Sequence, residues 1–176
     1  SLRTGVSWAR PRMARSSPTV SRRLLSLLER GLPPVLLADS ERRRRALLIA
    51  GTVWALVIAC TASFPVLAAV TSGPGRIVSL GANASVIALA LAGLALLRNA
   101  ATPRLAGNWV AGLMFAGIAC GVIVNGGFTS PYWILLAIVP FMASQMAGRG
   151  AGLTWAVVDL AFIAAIFALD LLGVAL

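Results

Sequence analysis

Asn125-Gly-Gly-Phe-Thr-Ser-Pro-Tyr-Trp133, then the apolar run Ile134 to Met146, then Gly148-Arg-Gly-Ala-Gly152, is the stretch whose reading decides the fold. It places a polar turn, a short apolar segment and a glycine-flanked arginine in immediate succession. This predicts one membrane helix held between two very short loops. The turn residues Gly126, Gly127, Ser130 and Pro131 supply backbone freedom and rigidity but no side chain suited to catalysis.

Outward from that stretch, the composition points the same way. The 176 residues are 59% hydrophobic and only 11% charged, with a net charge of +10. That balance belongs to an integral membrane protein and excludes a soluble domain. All 15 basic residues are arginine, and eleven of them precede Ala46, so the charge belongs to an N-terminal arm and not to the body of the chain. Histidine is absent, which removes the commonest general base, phosphoacceptor and axial haem ligand. Cys60 and Cys120 lie in separate apolar runs and read as small packing residues, without metal-ligand spacing. No cofactor and no metal is expected, and the arm lacks the interleaved aromatics of a nucleic-acid tail.

Two units follow, an Arg-rich cytoplasmic arm over residues 1–45 and a transmembrane domain over 46–176. Ser1 to Val20 has no apolar period, whereas Ser21 to Arg30 sets four leucines among charged residues and predicts a short interfacial helix. The domain reads as an all-α bundle of five membrane helices, at Ala46 to Val70, Ile77 to Leu97, Asn108 to Val124, Tyr132 to Ala147 and Leu153 to Leu172. The fourth is short, and Pro65 and Pro140 should kink the helices that contain them.

Arginine alone sets the orientation. With the N-terminus in the cytoplasm, Arg98, Arg104 and Arg149 join the eleven of the arm inside, and only Arg76 lies outside. Five spans then carry Leu176 to the periplasm. Arg42, Arg43, Arg44 and Arg45, directly before the first span, and Arg149 are the residues expected to meet anionic lipid or acidic partner surfaces.

Small residues at four-residue spacing mark candidate packing or partner faces: Gly112 with Ala116, Gly117 with Gly121, and Gly148 with Gly152. The intramembrane polar residues are Asn83, Gln145, Asp159 and Asp170. Asp159 sits seven residues into the last span, and Asp170 eleven residues on returns to nearly the same face. That stripe reads either as a proton- or cation-sensitive or subunit-binding face, or as a structural one on which Asp159 accepts hydrogen bonds from Ser144 or Gln145. The two acids are about 16 Å apart along the helix, so they cannot act as acid and base on one bond.

At Asn125 to Ser130, with Pro131, Pro140 and Gly148-Arg149, the chain resembles the membrane-embedded N-terminal sensor region of bacterial sensor histidine kinases and related signalling proteins. The similarity spans about Arg42 to Gly173. It implies a multi-helix sensory or anchoring module followed by a further span and a cytoplasmic kinase. No sixth span, coiled coil, phosphoacceptor histidine or ATP-binding region is present in these 176 residues. The function expected is therefore a non-catalytic accessory subunit of a larger bacterial inner-membrane complex, such as a photosynthetic or respiratory one, bound to other membrane subunits. The alternative is the input region of a truncated sensor kinase.

Overall fold

A computed structural model describes residues 20–100, 102–124, 127 and 130–174. The arm over residues 1–19 and the turn residue Gly126 lie outside the described residues. The elements are α1 (Val20–Arg30), α2 (Pro34–Leu37), α3 (Ser40–Val70), α4 (Gly73–Ala100), α5 (Pro103–Val124), α6 (Trp133–Leu136), α7 (Ile138–Ala147) and α8 (Arg149–Leu171). Among the described residues there is no strand. Helices α3, α4, α5 and α8 are long and apolar enough to cross a membrane, and the protein is a membrane-embedded helical bundle.

Local chemistry explains where the elements begin and end. Asp39 caps α3, its Oδ1 accepting the Glu41 N–H at 3.0 Å. Arginine is a good helix former, so α3 starts at Ser40 and takes in Arg42 to Arg45, where the sequence reading had placed the boundary after Arg45. Pro103 opens α5 in the first turn, where its missing N–H costs no intrahelical hydrogen bond and its fixed φ suits the helix. Gly148 joins α7 to α8 alone. Its φ of 106° is open only to glycine at low cost, and its N–H donates to Ser144 O at 3.1 Å.

The segment Tyr132 to Ala147 is broken in two. The break falls at Ala137, between α6 and α7, and not at Pro140 itself. Proline lacks the N–H that would bond four residues back, and its ring crowds that carbonyl, which here belongs to Leu136, the last residue of α6. Pro65 behaves otherwise, since α3 runs unbroken through it. There the surrounding turn is tied to α4, with Asn83 Nδ2 donating to Cys60 O at 2.8 Å and to Ser63 Oγ at 2.9 Å.

α3 packs against α4, α5 and α7, while α8 lies outermost and packs mainly on α7. The larger core cluster is confined to one half of the bundle. It comprises Ala46, Ile49, Ala50 and Val53 from the start of α3, Ala90, Leu94 and Leu97 from the end of α4, Ala106 and Val110 from the start of α5, and Met146 from the end of α7. Leu32 and Leu36 close it from beyond the start of α3, and Leu36 is fully buried. The chain direction of each helix puts Arg42 to Arg45, Arg98, Arg104 and Arg149 at this well-packed end, and Arg76 at the other.

α7 and α8 are antiparallel and in close contact. Gly152 lies against Pro140 O and Ser144, and Phe162 stacks near Trp133 with ring centroids 6.0 Å apart. That register sets Asp159 at the depth of Leu135 and Leu136, beside the helix break, and leaves Asp170 beyond the first residue of α6.

Candidate functional site at the arginine-rich end

At the well-packed end, the first turns of α3 direct four guanidinium groups to different neighbours because consecutive helical residues are about 100° apart. Arg43 grips Glu29 of α1 through Nε at 3.0 Å and also through Nη2. Arg44 holds Glu41 with two bonds of 3.0 Å, and its Nη1 donates to Gln145 Oε1 of α7 at 3.0 Å. Arg45 donates to Glu41 Oε1 at 2.8 Å and lies over Gly148, where an added Cβ would come within 3.3 Å of its Nη1. Arg42 reaches Asp39 only at 3.6 Å. From α4, Arg98 Nε donates to Gly31 O at 2.8 Å and so ties down the turn after α1.

These pairs are largely exposed, so solvent screens them and they add little stability. Their role is orientation: they knit α1, α3, α4 and α7 into one polar surface. Arg104 and Arg149 form no ion pair among the described residues. An open cleft of about 370 Å³ separates the start of α3 from the start of α5, lined by Asp39, Glu41, Arg42, Arg45, Thr102, Pro103 and Arg104. Guanidinium groups set around such a cleft recognise oxyanions through charge-assisted hydrogen bonds.

The proposed packing glycines separate into different environments. Gly152 is the tightest, with an added Cβ only 2.6 Å from Ser144 Cβ and 3.0 Å from Pro140 O. Gly112 faces the Trp155 ring at 3.3 Å and Gly121 the Tyr132 ring at 3.4 Å. Gly117 has open space around it, and Ala116 is exposed beside a cleft lined with Leu89, Asn108 and Trp109. Gly107, outside the three pairs singled out above, is a further close approach, where an added Cβ would come within 3.0 Å of the Met146 backbone; its sequence signal is the same four-residue spacing, to Ala111.

In the turn, Gly127 has φ 56° and its carbonyl accepts from Trp133 Nε1 at 3.0 Å and from Ser130 N at 3.2 Å. Ser130 is buried, its Oγ accepting from Tyr132 N at 3.3 Å, while Pro131 is exposed. The described turn residues therefore hold Trp133 in place. Asn83 is the amide that bonds α3 from α4, as described above.

The last helix corrects one expectation. Asp159 is 5% exposed, and neither carboxylate oxygen has a hydrogen-bond partner among the described residues. Neither expected partner is at its depth: Ser144 lies beside Gly152, about two helical turns nearer the arginine end, where its hydroxyl donates to Phe141 O of its own helix at 2.7 Å, and Gln145 beside it is bound to Arg44. Aromatic rings dominate its surroundings along the helix: Trp155 one turn before and Phe162 one turn after both pack on Phe115. Asp170 is exposed, since α6 ends before its level. The two acids thus share a helix face but not an environment. Among the described residues no group of three His, Cys, Asp or Glu side chains is placed to hold a metal ion.

No protein-family model, curated protein or solved structure matches the chain.

Proposed function

We propose that this chain is a non-catalytic accessory subunit of a larger bacterial inner-membrane assembly. It crosses the membrane five times, with α6–α7 as the short fourth span, and its arginine-rich end faces the cytoplasm. One observation carries the reading. α3, the longest helix, has no buried residue after Val53, and Trp54, Ile58, Val66 and Val70 lie open on its surface. The bundle is well packed at its arginine end and leaves the far half of its first long helix to be covered by lipid or by neighbouring subunits. The polar surface knitted by Arg43, Arg44, Arg45 and Arg98 gives that assembly a fixed, positively charged cytoplasmic face.

Two measurements test the proposal. In native gels of mildly solubilised source membranes, the chain is expected to migrate with a body much larger than itself, and migration as a free monomer refutes the subunit reading. A reporter fused at Arg104 is expected to be active only in the cytoplasm and one fused after Leu172 only in the periplasm; the reverse pattern refutes the orientation.

A further inference from the structure

We propose that the cleft between the first turn of α3 and the first turn of α5 is a binding site for the phosphate headgroup of an anionic phospholipid. The carboxylates in the cleft are already engaged. Asp39 caps α3 through Oδ1, and both oxygens of Glu41 accept from Arg44 and Arg45. The balance that remains is positive: Asp39 and Glu41 face Arg42, Arg45 and Arg104 across the cleft, Arg42 is held to Asp39 only by an exposed ion pair of 3.6 Å, and Arg104 has no ion pair among the described residues. Thr102, at the mouth of α5, brings a hydroxyl to the same cleft, and the first-turn N–H groups of α5 beside it add to the attraction without carrying it.

The volume of about 370 Å³ lies at the small end of the range of ligand clefts, suited to a headgroup and not to a macromolecular side. Position decides in favour of lipid. Arg45 is followed at once by the apolar stretch from Ala46, and Arg104 by Leu105, so the guanidinium groups stand where headgroups meet acyl chains. A phosphodiester there receives bidentate guanidinium bonds from two helices while its chains remain in the bilayer. The site rests on the membrane embedding of the bundle and stands apart from the subunit reading.

The test uses the full chain reconstituted in nanodiscs of equal parts phosphatidylcholine and phosphatidylglycerol, with retained lipid read by native mass spectrometry. The wild-type chain is expected to retain phosphatidylglycerol over phosphatidylcholine. Arg104→Gln, and more so with Arg42→Gln, should weaken that retention by about tenfold or more, the loss of one or two charge-assisted hydrogen bonds. Arg76→Gln removes the same charge at the opposite end and should change nothing. Equal losses for Arg76→Gln and Arg104→Gln, or no preference in the wild type, overturn the site. Displacement of the lipid by inorganic phosphate at equal concentration reassigns it to a soluble anion. If Arg42→Gln with Arg104→Gln instead releases an acidic protein from native membranes while lipid retention holds, the cleft is a protein contact and the proposal fails. Loss of lipid with unchanged migration in native gels leaves the subunit reading intact.

Discussion

Replacing Gly152 by Ala tests the packing of α7 on α8 directly. The new Cβ would lie 2.6 Å from Ser144 Cβ, 3.0 Å from Pro140 O and 3.2 Å from Ser144 Cα. Carbon pairs at their energy minimum are about 3.5–4.0 Å apart, so the helices must separate by roughly 1 Å. None of these atoms is the end of a flexible side chain that could rotate away. The overpacking penalty therefore belongs at the upper end of its range, about 3 kcal/mol. Alanine recovers about 1 kcal/mol of helix propensity over glycine. The net expectation is a loss of about 2 kcal/mol. Gly117→Ala supplies the control, because no atom lies within 4 Å of its added Cβ. That substitution keeps the propensity gain of about 1 kcal/mol without a clash. Thermal unfolding in mild detergent, followed by far-UV circular dichroism, should show Gly152→Ala about 4–8 °C below the parent and Gly117→Ala about 2–4 °C above it. Shifts of the same sign for the two variants would refute the reasoning.

Asp159→Leu should stabilise the isolated bundle by about 1–4 kcal/mol, because it removes a buried carboxylate without a partner, and Asp159→Asn should stabilise it less. A fall in unfolding temperature for Asp159→Leu would show that the carboxylate has a partner. Pro140→Ala restores an N–H opposite Leu136 O, so hydrogen exchange of the backbone over Leu136 to Phe141 should slow as α6 and α7 fuse; unchanged exchange would mean that the break has another cause.

The apolar segments and the charged end were legible because each rests on a one-dimensional property, the length of an apolar run or the position of arginines. What escaped was whatever depends on the rotation of one helix against another. The small-residue pattern gave Gly117 and Gly152 equal standing, yet only Gly152 meets a neighbour, because contact is decided by which residue of α7 lies opposite. Gly107 went unnoticed since its partner backbone, at Met146, is 39 positions away. Asp159 was assigned a partner on depth alone. The depth itself was misjudged by about two turns, because the register is set by Gly152 against Ser144 and leaves Asp159 beside Leu135 and Leu136, which offer no donor side chain. Pro140 announced a disturbance, and the four-residue reach of the helical hydrogen bond moved the break back to Ala137.

The bond from Arg44 to Gln145 joins residues 101 positions apart, and that separation imposes an order in time. At translation rates of roughly 5–20 residues per second, Arg44 waits about 5–20 s at the membrane surface before its amide partner has been made. During that interval α3 and α4 can already pair through Asn83, whose partners precede it in the chain. Assembly therefore proceeds from an early hairpin to a late clasp: α7 arrives, Gln145 engages Arg44, and Met146 fills the space against Gly107. A chain that stops before Gln145 has α3, α4 and α5 but lacks the clasp, so its arginine end stays open.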